Sequence, residues 1–255
     1  MKEMDLSEHL QDLRFTLIKI IFILFLSFLL CYSFGEYIVE LLLFPLRNIM
    51  NDLHSSDKIV YLGIFDKIIS QLQVAFWASI LVSSPFWFYQ AWKFIAPGLY
   101  EHEIKAIKPF IFLGFGLFIF GVLFGQFIVF PFVFKAIMSY GVTDITAMIS
   151  LKDYLVLCVK ILIMLGFMFQ LPNVMIILGF MGLVTTYSLR KKRPYIYLAL
   201  LIISAILTPP DVLTQIGLWI PLIILFEIGI WVVGLVVHPY LEKRFQTVEG
   251  NVTTL

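Results

Sequence analysis

Charge is scarce in this chain. Asp, Glu, Lys and Arg make up 14% of its 255 residues, while apolar residues make up 61%. So little charge excludes a soluble globular protein, whose surface would then be apolar and aggregate, and makes the bilayer the solvent. The net charge is +1, with basic residues scattered through short segments. That excludes a continuous basic stripe, and with it a nucleic-acid partner. Cysteine is nearly absent. Cys31 and Cys158 both sit in apolar runs and are read as buried small hydrophobes rather than a disulfide. Catalytic patterns are missing as well. There is no phosphate loop, no His-Glu-x-x-His, and no serine–histidine or paired-aspartate arrangement at membrane depth, so no enzyme, cofactor or metal site is expected. Met1 to Arg14 carry Glu3, Asp5, Glu8 and Asp12, too acidic for the start of a signal peptide. The first apolar run is therefore expected to stay in the membrane.

What is present is a succession of long apolar stretches. Read at about 20 residues per span, they fall near Phe15 to Phe34, Ser70 to Tyr89, Pro109 to Phe134, Tyr154 to Phe180, Tyr195 to Leu207 and Gln215 to Val237. The expectation is an all-α polytopic protein of six transmembrane helices, one domain over residues 1–255, with the last two helices short. Thr208-Pro209-Pro210-Asp211 separates the final pair, and two prolines with an acid punctuate a turn strongly. The fifth run covers only ~20 Å against a hydrocarbon core of ~30 Å. A thinned bilayer, burial against neighbours or a re-entrant hairpin would each accommodate it. The two halves of the chain show no matched repeat, which argues against a secondary transporter working alone.

Lysine and arginine set the orientation. Lys2, Arg14, Lys19, Lys93, Lys105, Lys108, the run Arg190 to Arg193, Lys243 and Arg244 fall on one side. Arg47, Lys58, Lys67, Lys135 and Lys152 fall on the other, and Lys160 lies inside a span. The positive-inside rule then puts both termini in the cytoplasm. The Arg190 to Arg193 run reads either as a pure anchor or as a binding element.

Several ordered motifs point further. His9-Leu10-Gln11-Asp12-Leu13-Arg14, Phe94-Ile95-Ala96-Pro97-Gly98-Leu99-Tyr100-Glu101-His102-Glu103, Arg190-Lys191-Lys192-Arg193-Pro194-Tyr195, Leu207-Thr208-Pro209-Pro210-Asp211 and Leu225-Phe226-Glu227-Ile228-Gly229 follow one another along nearly the whole chain. With these the sequence resembles the TatC family, the multispanning component of the twin-arginine protein translocase. The resemblance implies a receptor and core scaffold for export of folded proteins, six helices in a concave, glove-like bundle, and a bacterial inner membrane. It also implies partners: twin-arginine signal peptides, single-span proteins of the TatA and TatB type, and further copies of the chain.

Signal-peptide recognition is carried over by the same resemblance to Phe94 and Glu103, and to Glu101, with Asp12 and Arg14 close by. Two guanidiniums need carboxylates, preferably in bidentate geometry. Glu101 and Glu103 would lie on different faces of a helix, whereas an irregular loop after Pro97-Gly98 would let them converge; taken alone they are ordinary solvated loop acids. Where the family usually has Phe-Glu-x-Pro, this chain has Phe169-Gln170-Leu171-Pro172. Glutamine keeps size and hydrogen bonding but cannot titrate. Gln170 beside Pro172 reads as a polar contact with a partner or as glue between helices. Gln126, Lys160, Gln215 and Glu227 are the other costly residues at membrane depth, expected to face protein, water or the interface. Pro45, Phe65 and Asp66 are expected to be structural in the long first loop, as are Pro97, Pro209, Pro210 and Asp211 in theirs. Gly121 and Gly125 are spaced for close helix approach.

Overall fold

A computed structural model describes residues 6–52, 58–95, 101–139, 148–208, 212–237 and 239. Almost all of them are helical. Helix α1 (Leu6–Ser33) is followed after one residue by α2 (Gly35–Asp52), and α3 (Asp66–Val82) by α4 (Ser84–Ile95). Next come α5 (Glu101–Phe124), a π-helical stretch (Gly125–Val129) and α6 (Phe130–Ser139). Helices α7 (Leu151–Met168), α8 (Leu171–Phe180), α9 (Thr186–Lys191), α10 (Arg193–Leu207) and α11 (Val212–Val232) complete the set, with a second π-helical stretch (Val233–Val237). Two three-residue strands, β1 (Lys58–Val60) and β2 (Met148–Ser150), pair in parallel with Ile59 opposite Ile149. They tie the segment before α3 to the start of α7.

Four segments are long and apolar enough to cross a bilayer: Leu13–Ser33, Phe112–Ala136, Leu151–Phe180 and Val212–Val237. A fifth forms if Asp66–Val82 and Ser84–Ala91, bent by 50°, count as one. The expectation of two short final helices needs correction. Helix α10 is short at 15 residues, but the last segment runs 26 residues through Pro221 without a break. At 1.5 Å per residue it reaches ~39 Å, enough for any hydrocarbon core.

The bend between α3 and α4 has a local cause. Pro85 has no N–H to give the carbonyl of Leu81, and the Ser84 hydroxyl takes that carbonyl at 2.6 Å. The indole N–H of Trp87 donates to the Ile80 carbonyl at 3.1 Å. A broken helix is tolerated at membrane depth because side chains re-satisfy the freed groups. Pro45 works the same way, although it lies inside α2 rather than at the exit of the first span. The carbonyl it cannot bond, Leu41, accepts from Gln126 Nε2 at 2.7 Å. Tyr154 donates its hydroxyl to the next carbonyl, Leu42, at 2.8 Å. Gln126 therefore faces protein and docks α2 onto the bundle.

Helix α7 is the centre of the molecule. The span it forms with α8 is 61% buried, against 11% for α1, and α3 and α5 pack on it from two sides. Its own Leu155 and Leu165 are wholly buried, as is Phe118 of α5, which packs against Gly166 and Phe167. Gly121 and Gly125 let α5 approach. A Cβ on Gly121 would lie 2.9 Å from the Leu165 carbonyl oxygen, and one on Gly125 would lie 2.8 Å from the Leu165 side chain. The glycine spacing is thus spent inside the chain.

Candidate functional site

Helix α1 packs on α4 and α4 on α5, so the elements that carry the expected recognition residues are neighbours. Arg14 is exposed on α1. Asp12 lies in α1, Phe94 in the last turn of α4, and Glu101 and Glu103 in the first turn of α5; the side chains of these four, like the whole of Pro97, lie outside the described residues. One expectation changes. Helix α5 begins at Glu101, so the irregular loop that would let Glu101 and Glu103 converge has already given way to helix.

Besides Gln126, two clusters of polar side chains stand out at membrane depth among the described residues. The first is built on the break between α7 and α8. Pro172 sits in the first turn of α8, where its missing N–H is tolerated. Half-buried Gln170 donates through Nε2 to the Gly114 carbonyl of α5 at 2.8 Å, and its Oε1 accepts from Asn173 Nδ2 at 3.4 Å. Gly114 makes room: a Cβ there would come within 2.5 Å of Asn173 Nδ2. Asn173 is 6% exposed, and its Oδ1 has no partner among the described residues. Sequence reasoning passed over Asn173, though an asparagine one turn after Gln170 in an apolar run was a usable signal. Gln170→Glu, which keeps the size of the side chain and a hydrogen-bonding group beside Asn173, is expected to leave export nearly unchanged near neutral pH. Gln170→Leu strands Asn173 Nδ2 and should lower stability by about 1–3 kcal/mol. Thermal unfolding of the two variants side by side checks this; equal melting of the leucine variant and the parent would reduce the position to packing.

The second cluster joins α10 to α11. Glu227 accepts from Arg193 Nη2 and from the Tyr197 hydroxyl, both at 2.5 Å. Trp219 Nε1 donates to the Tyr197 carbonyl at 2.9 Å, and Gln215 Nε2 reaches the Leu201 carbonyl at 3.4 Å. Glu227 is therefore an ion-pair partner of the basic run, which does more than anchor. The pairing was invisible in the sequence because the two residues are 34 positions apart. Lys160 is exposed on α7.

Two structural expectations can be placed. Asp66 Oδ2 accepts from the Gly63 N–H at 2.7 Å, and Oδ1 from Lys152 Nζ at 3.0 Å, which pins the start of α3 to the start of α7. Phe65 precedes it and is exposed. Pro209, Pro210 and Asp211 lie outside the described residues.

The family model for the Sec-independent protein translocase protein (TatC) matches residues 8–221. The Sec-independent protein translocase protein TatC of Magnetococcus marinus is 38% identical over 226 residues, covering 89% of this chain and 82% of the relative. That of Helicobacter pylori strain J99 is 33% identical, covering 91% and 90%. A crystal structure of a twin-arginine translocase receptor, TatC, superposes with a TM-score of 0.80 at 30% identity, covering 89% of this chain and 99% of the other. The chain belongs to the TatC family: it is a non-catalytic, multi-pass protein of the bacterial inner membrane and the receptor and core scaffold of the twin-arginine, Sec-independent translocase.

Proposed function

We propose that twin-arginine signal peptides of folded precursors are received at the end of the molecule where α1 begins, α4 ends and α5 begins. Glu103 and Phe94 are the principal contacts there, with Glu101, Asp12 and Arg14 beside them. The observation that carries this reading is the adjacency of α1, α4 and α5, the helices on which all five residues lie. A photo-crosslinking residue placed at Phe94 should capture a twin-arginine precursor. One placed at Ile64, at the opposite end, should not, and capture at Ile64 alone would overturn the assignment.

The same reading takes the bent pair α3–α4 and the short α10 as spans, giving six in a concave bundle with both termini in the cytoplasm. Helix α10 covers ~22 Å at 1.5 Å per residue and relies on a thinned bilayer and on the snorkelling of Arg190 to Arg193. Single-span partners of the TatA and TatB type, and further copies of this chain, complete the working complex. Gln170, Pro172, Gln215 and Glu227 serve those contacts by holding the helices that present them. For topology, Cys31 and Cys158 are replaced and single cysteines introduced. Ile64→Cys, at a position 93% exposed, should react with an impermeant thiol reagent added outside cells, and Lys191→Cys should not. Thr208 is a poor reporter because it is buried. Labelling at Lys191→Cys would sink the six-span topology.

A further inference from the structure

Where α1 hands over to α2, the molecule carries a cleft of about 270 Å³ between α2 and the first turns of α3. Its charged walls are Glu36, Glu40 and Arg47 from α2 and Lys67 from α3, above an apolar floor of Val39 and Leu43. The spacing of 36, 40 and 47 places the three on one stripe of the helix. All four charged residues are exposed, and none forms an ion pair among the described residues. Both signs of charge thus face one opening without neutralising each other. Gly35 shapes its end, since a Cβ there would stand 2.9 Å from Gln71 Nε2.

The surroundings say at what depth the cleft lies. The membrane-crossing segment of α1 ends at Ser33, two residues before Gly35. The stripe of α2 beside the charged one exposes Tyr37, Leu41 and Phe44, the junction before it exposes Phe34, and the loop before α3 exposes Ile64 and Phe65. Exposed aromatic and aliphatic side chains beside a charged face are the pattern of an element lying in the bilayer interface, apolar groups among acyl chains and charges among headgroups. The occupant that suits such a cleft carries a cation and an anion a few bonds apart and brings its own acyl chains. A primary ammonium offers three N–H donors to carboxylates that can only accept, whereas a quaternary ammonium offers none.

We propose that this cleft is a lipid site that takes the zwitterionic headgroup of an ethanolamine phospholipid, its ammonium on Glu36 and Glu40 and its phosphate on Arg47 and Lys67. The site lies on the membrane face opposite the amino terminus, away from the signal-peptide site, and does not depend on that assignment.

The test titrates the full chain, purified in a mild detergent, with dioleoyl phosphatidylethanolamine, phosphatidylcholine and phosphatidylglycerol, and counts retained lipid by native mass spectrometry. The ethanolamine lipid is expected to be retained about tenfold better than either of the others, the worth of one charge-assisted hydrogen bond. Glu36→Gln with Glu40→Gln should erase the preference for ethanolamine over choline. Arg47→Gln with Lys67→Gln should weaken all three lipids together. A misfolded variant would lose every lipid, so the ratio between lipids is the readout, and the single Glu36→Gln and Glu40→Gln variants carry it where the double does not fold. Equal retention of the three lipids by the parent chain would overturn the proposal, as would an ethanolamine preference that survives both glutamines. Free phosphoethanolamine at the same concentration should not displace the lipid; displacement would overturn the lipid reading in favour of a soluble phosphoamine.

Discussion

Glu103→Ala is expected to lose twin-arginine precursor binding while the protein stays folded and inserted. A carboxylate that accepts from a guanidinium contributes about 1.5–3 kcal/mol, so its removal should weaken binding roughly 10- to 150-fold and leave the arginine unpaired. A second effect acts at the same position. Glu103 lies in the first turn of α5, where an acid favours the helix terminus by about 0.3–1 kcal/mol. That is too little to unfold a 24-residue helix packed along α7, so loss of binding dominates. Glu103→Gln should be intermediate, keeping an acceptor without the charge. The measurement is co-purification of a precursor with the full chain, beside export at low expression. Normal export by Glu103→Ala would take recognition away from this residue, and Glu101, now known to begin the helix, would be examined in its place.

The second large effect is expected at the junction of α10 and α11. Glu227→Leu leaves the Arg193 guanidinium without its carboxylate, and the Nε of that arginine is already buried without a partner among the described residues. An unpaired arginine near the membrane is costly, and the pair is only partly buried at 37% and 27% exposure. Of order 2 kcal/mol is therefore a fairer figure than that for a fully buried pair. The melting temperature should fall by roughly 4–8 °C. Glu227→Gln keeps an acceptor for the Tyr197 hydroxyl and should lose about half as much. Removing both charges together, Arg193→Leu with Glu227→Leu, should recover most of the loss, because two apolar groups need no partners. Arg190, Lys191 and Lys192 remain to hold the topology. Additive losses in the double variant would mean that the two residues stabilise the protein independently.

The candidate site was only partly legible before the fold was known. Glu227, Gln126 and Gln170 stood out because a polar side chain in an apolar run is costly wherever it faces. Their partners did not stand out. Arg193 and Tyr197 for Glu227, and the carbonyls of Leu41 and Gly114 for the two glutamines, become specific only when helices cross. The Lys152–Asp66 pair, 86 residues apart, was hidden for the same reason. Glu101 and Glu103 illustrate the opposite error. Pro97-Gly98 promised a loop, and helix resumed sooner than those breakers implied.

By itself the sequence determined that this protein lives in a bilayer, where its apolar runs lie, and which end of each carries the cations. These are properties of composition and period, and the bilayer enforces them through the cost of unsatisfied backbone and buried charge. The ordered motifs determined the family. Tertiary structure decided what each polar residue is for: which carbonyl a glutamine satisfies after a proline, which arginine meets a glutamate, and which glycine lets a helix reach α7. It also decided that opposite charges on α2 and α3 share one cleft. Hydrogen bonds and ion pairs act only over a few ångströms, so residues 30 to 112 positions apart acquire a partner only through the packing that brings them together.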